Sequence, residues 1–432
     1  MIALILSAAL AAAPLPAGEA PAAVAAPAAP VLEAITFEEA VRRAVARSTG
    51  ALVAAQEVAR TQALRDETSS ASLPTLGATG IYTRLDGDRT TVSGGTSRIL
   101  SAQDQLNASA TLSVPLLAPS RWYQWSHARQ AVAAAAEGGV DARRQAALQA
   151  GHAYLSVLSL RNALKVADSA LQTARAHADF AHTRRSAGMG NALDELQAIQ
   201  EVSASEVQLA AVQDGLARAR EALGVATGGD APLDAADVPA LAPPAARGDQ
   251  VVELEHRSDV RTARARALVA DRTAADGWAD WLPTLLGTAQ AFLQAPASLT
   301  TPAHGWQVQV ILSLPIYDGG FRPGQARERD ALKAESDLAV DALLRQARSD
   351  VRASWTTLSN ARTSFEAARR GAKASAEALE LSETAYRAGA VNSLQVTDAQ
   401  RRARDAGLAA VAAEEAERQA VLDLLAATGN FP

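Results

Sequence analysis

The 432-residue sequence has no cysteine. That excludes disulfides, thiolate metal centres, a cysteine nucleophile and lipid attachment through a cysteine, and leaves the redox compartment open. Aromatic residues are also scarce, at 4% of a chain that is 48% hydrophobic. Its apolar content is mostly alanine and leucine. A compact core draws its volume from large side chains, whereas alanine-rich surfaces suit helices lying close together in slender bundles. The composition therefore predicts an elongated, helix-rich molecule. A basic excess is missing too: the net charge is −6 with 20% charged residues, which provides no face for nucleic acid. Beyond the N-terminus no run of about 18 apolar residues occurs, so no transmembrane helix is expected.

The N-terminus itself is apolar from Ile2 to Ala13 and is followed by small residues. It reads as a signal peptide over residues 1–20, without the usual positive n-region and with cleavage either at Ala11-Ala12-Ala13 or near Ala20. Residues 21–34 continue an Ala/Pro-rich stretch and read as an extended leader.

What the chain does have is a duplication. Leu73-Pro74-Thr75-Leu76 recurs 209 residues later as Leu282-Pro283-Thr284-Leu285. Leu112-Ser113-Val114-Pro115 recurs 200 residues later as Leu312-Ser313-Leu314-Pro315, and Ala226-Thr227-Gly228 recurs 201 residues later as Ala427-Thr428-Gly429. The copies thus differ chiefly by one insertion between the first two motifs. Self-similarity of this length is one structural unit used twice. The units run over residues 35–228 and 250–429, with an Asp/Ala/Pro-rich linker at 229–249.

Each unit reads helix, strand, polar loop, strand, long helix, turn, helix. Thr36 with Glu39 forms a capping box that opens a helix to about Ser70. From Thr75 to Thr83, Leu76, Ala78, Gly80 and Tyr82 alternate with Thr75, Gly77, Thr79 and Thr83. From Leu106 to Val114, Leu106, Ala108, Ala110, Leu112 and Val114 alternate with Asn107, Ser109, Thr111 and Ser113. Period two signals strands. The second unit offers Leu285 to Leu293 and Trp306 to Leu314, with Ile311 breaking the polar face. Strands of about 9 to 11 residues are long enough to cross a bilayer when tilted. The polar segments Arg84 to Gln105 and Gln294 to Gly305 join the pairs as loops.

From about Ser120 to Ala187 the pattern is helical, about 67 residues or about 100 Å. A Gly188-Met189-Gly190-Asn191 break precedes a return helix to Ala226, whose Leu209, Val212, Leu216, Ala219 and Leu223 form a heptad seam. The second unit repeats the design over about Val251 to Asp280, Pro323 to Ala388 and Ser393 to Thr428. In the first unit the two shorter helices, end to end, match the long one in length and suit lying alongside it.

Four strands with one apolar and one polar face cannot close a barrel, and open edges are not tolerated in hydrocarbon because backbone groups there go unpaired. Closure requires copies, and three chains would supply twelve strands. With the paired elbows, including Leu314-Pro315-Ile316-Tyr317-Asp318-Gly319-Gly320, and the second turn from Tyr386 through Gly389, Asn392 and Asp398 to Gln400, the chain resembles the TolC-type outer membrane efflux proteins over about Ile35 to Gly429. The resemblance implies a mostly α fold with a small β part: internally duplicated antiparallel helical hairpins plus four transmembrane strands per chain. As a homotrimer these would complete a twelve-stranded barrel in outer membrane lipid and a helical tunnel across the periplasm. It also implies two partners, a periplasmic membrane fusion (adaptor) protein and an inner-membrane transporter, for a passive duct serving efflux or type I secretion.

At residue level, the resemblance places Gly188, Asn191, Gly389 and Asn392 at hairpin tips that meet the adaptor. It places Asp194, Tyr386 and Asp398 at the periplasmic gate or constriction. Two family positions differ: an acid of the constriction falls on Gln395, and the basic partner of the gate falls on Val391. Trp122, Trp125, Trp278 and Trp281 flank the strands, where they form either an interface belt or packing at the strand-to-helix junction. His177 and His182 are five residues apart, the wrong spacing for two ligands on one turn, and no metal or cofactor is expected. No phosphate loop or nucleophile elbow has the required strand-turn-helix context, so no enzyme is expected. The competing reading is a soluble periplasmic coiled-coil scaffold or adaptor.

Overall fold

The computed structural model describes residues 32–93, 96–244, 254–297 and 302–431. The expected signal peptide, most of the leader, the end of the 229–249 linker and the first residues expected in the second opening helix lie outside the described residues.

After strand β1 (Glu33–Ile35), the Thr36 hydroxyl accepts from the Glu39 N–H at 3.3 Å and starts helix α1 (Phe37–Arg47). The carboxylate of Glu39 does not close the box; it accepts from Arg43 at 2.6 Å and from Arg42. The single opening helix expected to Ser70 is in fact divided. Ser48, extended at φ −60° and ψ 144°, accepts from the Ala51 N–H and caps a second helix, α2 (Thr49–Ser70). A serine hydroxyl competes for backbone donors, so it can end one helix by starting the next.

The chain then runs through β2 (Thr75–Arg84), β3 (Arg89–Ser93), β4 (Thr96–Ser101) and β5 (Asp104–Leu117). The polar stretch expected to be a loop thus contains an antiparallel hairpin, β3 with β4, and the insertion in the first unit falls in this connection. Helix α3 (Pro119–Ser186) starts on proline, whose missing N–H costs nothing at a first turn. Helix α4 (Ala192–Ala226) returns along it.

Inside the stretch read as a linker lies β6 (Leu233–Ala235), paired in parallel with β1. Three residues are too few to carry a period, yet Leu233 and Ala235 are buried. The second unit opens on α5 (Ser258–Ala275), flanked by 3-10 turns at Leu254–His256 and Asp276–Trp281. It is shorter than the helix expected from Val251 to Asp280, because Asp276-Gly277 weakens the last turn. Strands β7 (Thr284–Ala295) and β8 (His304–Ser313) follow, then α6 (Phe321–Arg387) and α7 (Ser393–Ala427).

The four long strands form one antiparallel sheet in the order β2-β5-β7-β8. Its register pairs Leu76 with Leu112, Leu112 with Ala289 and Leu285 with Leu312, while Thr79 meets Ser109 and Thr288 meets Gln309. Since side chains alternate with period two, these pairings put most of the apolar residues of all four strands on one face, with Ile81, Leu286, Phe292 and Ile311 on the other. The other face is mainly Ser, Thr, Asn and Gln, with the Gln307 side-chain N–H donating to the Gln290 side-chain oxygen at 2.6 Å. Within the chain β2 and β8 have one partner each, so the sheet has two open edges.

The helices carry the buried mass. A cluster around Ile35, Phe37, Tyr154, Leu155, Leu223 and Leu422 sits midway along α3, where β1, β6 and the ends of α4 and α7 converge. Phe37 meets Tyr154 edge-on at 5.4 Å. By contrast, α6 buries only Arg322, Ala347, Val351, Leu358 and Tyr386 over 67 residues. Most of its residues are exposed among the described residues. No helix among the described residues is long and apolar enough to cross a membrane.

Candidate functional site at the hairpin tips

Both hairpins turn by the same device. Gly188 (φ +76°) and Gly389 (φ +75°) follow the C-caps of α3 and α6 in the left-handed region. Around them, Gly188 and Met189 N–H groups donate to the carbonyls of Arg185 and Arg184, and Gly389 and Ala390 N–H groups donate to those of Tyr386 and Ala385. This is the Schellman pattern, which satisfies the last carbonyls of each helix and needs a residue that tolerates positive φ. Asn191 and Asn392 then cap α4 and α7, their side chains accepting from Leu193 and Gln395 N–H groups at 3.1 Å.

Just behind the turns the structure brings Asp194 and Tyr386 into one cluster with Ser393, His177, Phe180 and Arg184. Ser393, fully buried (0% exposed), is the hub. Its hydroxyl donates to the Asp194 carbonyl at 3.2 Å and lies 3.0 Å from His177 Nε2. Tyr386, 3% exposed, packs against His177 at 5.0 Å and Phe180 at 5.8 Å. Arg184 sits 5.1 Å from the Tyr386 ring centroid and donates to its carbonyl at 3.3 Å. Burial pushes the Tyr386 phenol up, and the Asp194 charge adds to this. Burial pushes the His177 imidazole down, against an opposing pull from Asp194. With Val391 at the position of the basic gate partner, Arg184 is the cation that Tyr386 meets.

Neither Ser393 nor His177 stands out by periodicity or spacing. One signal does mark Ser393. When the units are aligned on their turns, Asn191-Ala192 faces Asn392-Ser393, so the hydroxyl exists in one copy only.

Asp398 stands apart from this cluster. It is exposed on α7 and pairs with Arg402 at 2.6 Å, one turn along its own helix. Two further carboxylates near the tips are more enclosed. Glu195 accepts from Arg185 and from His182 at 2.6 Å, and Arg185 foremost holds it below the usual carboxylate range. Glu201, 1% exposed, bridges Arg401 at 2.6 Å and Arg404 at 2.8 Å, tying α4 to α7. Among the described residues no group of three His, Asp or Glu side chains is placed to hold a metal ion.

At the opposite end of the helices, Trp122, Trp125, Trp278 and Trp281 ring the strand-to-helix junction, each half-exposed. Trp278 meets Tyr123 edge-on at 5.6 Å, and Arg129 and Arg322 lie over Trp125 and Trp281 at 5.1 and 4.5 Å. Their rings combine junction packing with an exposed face.

Long paired hairpins carrying an amphipathic four-stranded sheet define the class of outer membrane channels with a helical extension, and solved structures bear this out at the level of fold. CusC superposes with a TM-score of 0.78 at 16% identity, over 94% of this chain and 95% of its own. VceC of Vibrio cholerae does so at 0.75 and 18%, over 91% and 96%. By sequence, outer membrane protein OprJ of Pseudomonas aeruginosa is 26% identical over 315 residues, 70% of this chain and 65% of OprJ's own length. A sequence model of the outer membrane efflux proteins matches residues 40–229 and 252–430. The chain belongs to the outer membrane efflux protein family, which places it in the outer membrane.

Proposed function

We propose that three copies of this chain assemble into a passive exit duct. The observation that carries the reading is the sheet: most apolar residues of the four strands share one face, and β2 and β8 present open edges. Joining β8 of one chain to β2 of the next pairs those edges, and three chains close a twelve-stranded barrel with its apolar face to lipid. The sparsely buried α6 then finds its neighbours in adjacent chains, and the hairpins continue the barrel as a tunnel into the periplasm. In this arrangement residues 1–20 direct export, 21–34 lead into the fold, and the units 35–228 and 250–429, joined by 229–249, are near-equivalent staves.

The tips carrying Gly188, Asn191, Gly389 and Asn392 meet a periplasmic adaptor protein, behind which an inner-membrane transporter supplies the energy. Asp194 and Tyr386 restrain the entrance. Asp398, repeated three times about the axis, adds negative charge there, reduced by Arg402 and by Gln395. The four tryptophans mark the periplasmic membrane interface. The duct performs no chemistry and binds its cargo weakly.

Fractionation and electrophysiology test this. A heat-modifiable trimer in carbonate-washed outer membranes that conducts in planar bilayers is the expected result; a soluble monomer would sink the reading. Replacing Asp194 with Ala is expected to raise single-channel conductance, and unchanged conductance removes Asp194 from the gate.

A further inference from the structure

The hydrogen-bond donors around Ser393 can be counted. The Asp194 carbonyl oxygen can only accept, and the Ser393 O–H donates to it at 3.2 Å. With the O–H given to that carbonyl, His177 Nε2, 3.0 Å from the same hydroxyl oxygen, is the donor, which corresponds to the Nε2–H tautomer. Tyr386 lies within hydrogen-bonding reach of Ser393 as well. One buried hydroxyl thus joins α3, α4, α6 and α7, the four helices that meet at the two tips.

The surroundings of His177 decide how it responds to a proton. The charge that acts on His177 is Asp194 from α4; from α6 and α7 come the neutral Tyr386, which also carries Arg184 of α3 over its ring, and Ser393. The other nearby carboxylates are already neutralised, Glu195 by Arg185 and His182, and Glu201 by Arg401 and Arg404. His177 is 6% exposed. A second positive charge beside Arg184 in this dry site would have only the Asp194 carboxylate to offset it. Separating the helices would return the imidazole to water, where it charges freely.

We infer that His177 and Ser393 are positioning residues for Asp194 and Tyr386, forming a latch between the two hairpins of one chain that holds while His177 is neutral and releases in acid. The inference rests on the tips being the duct's entrance. Burial depresses His177 in the latched state, so the released state binds the proton first. Latched stability is therefore fully present above a free histidine's value near pH ~6.5 and is lost as pH falls below it. If only the released form protonates, its ratio to the latched form rises by up to about tenfold per chain between about pH 7.5 and about pH 5.5.

The test is conductance of the full-length trimer in planar bilayers across that pH range. Wild type is expected to open more as pH falls. H177Q offers an amide donor to Ser393 but takes up no proton, and is expected to lose the acid response. S393A removes the hub and is expected to conduct more at neutral pH with a flattened profile. Conducting wild-type channels with no acid response overturn the latch, and so does an H177Q that keeps the wild-type profile. If H177Q fails to assemble, the wild-type and S393A profiles decide, an unaltered S393A profile being the contrary result. A wild-type protein that forms no channels at any pH instead refutes the duct reading.

Discussion

Glu201 and Tyr154 show how single residues hold a slender molecule together. Glu201 is buried with two guanidinium partners, so Glu201→Ala removes the carboxylate that Arg401 and Arg404 share and leaves Arg404 with Asp405 alone at 3.1 Å. A loss of about 3–5 kcal/mol is expected, read as an earlier urea midpoint; replacing all three by Leu or Met is expected to recover most of it. Tyr154, 0% exposed, uses its hydroxyl to fasten β1 and β6 to α3: it meets the Ile35 carbonyl at 3.2 Å, the Asp237 carbonyl at 2.9 Å and the Asp237 carboxylate. Tyr154→Phe removes the partner of the Asp237 backbone groups, while the carboxylate keeps the Phe37 N–H at 3.0 Å, at a cost of about 1–3 kcal/mol, visible as a lower unfolding temperature. Burial and the Asp237 carboxylate push this phenol up to about 12. The unfolded chain gives up that proton near pH ~10 while the folded chain keeps it. Stability therefore falls as pH rises from there through about 12, and Tyr154→Phe is expected to flatten that part of the profile.

At the scale of elements, the strands and turns make opposite demands on their residues. On β8, Val308 and Gln309 are adjacent but face opposite sides of the sheet. Val308→Lys places a charge on the apolar face and is expected to cost about 2–4 kcal/mol near the bilayer midplane, with lower yield in washed outer membranes. Gln309→Lys on the polar face is expected to insert normally. The hairpin turns depend on backbone conformation instead. Gly389→Val puts a β-branched residue at φ +75° and is expected to destabilise the tip by about 1–2 kcal/mol, measured as faster protease nicking there. Gly190 is tight for a different reason, since a Cβ would lie 2.7 Å from the Arg185 backbone nitrogen.

For the whole molecule, one chain is an incomplete object: its sheet has open edges and α6 buries few residues. Native mass spectrometry in detergent is expected to find three chains, and loss of trimer is expected to accompany loss of the folded sheet. The two units are equivalent in architecture but not at the tips. Ala192 against Ser393 and Asp194 against Gln395 give the latch one hydroxyl and one acid, drawn from different copies. A strict repeat would have made a tube with no asymmetric contact to regulate.

The strands, the long helices and both glycine turns were legible in the sequence because each carries a local signal: period two, sustained helical patterning, and glycine between helices. The break at Ser48, the hairpin from Arg89 to Ser101 and the three-residue strands β1 and β6 were not, since a serine hydroxyl or a very short strand leaves no period to read. The family pattern marked Asp194, Tyr386 and Asp398 alike, yet only the first two share the Ser393 cluster, because Asp398 faces away on α7 toward Arg402. By itself the sequence determined the repeated helix-and-strand plan and the one-sided sheet, both consequences of side-chain periodicity along the backbone. Only the tertiary structure decided that Ser393 and His177 close the space between Asp194 and Tyr386, because hydrogen bonds between residues some two hundred positions apart depend on how four helices pack.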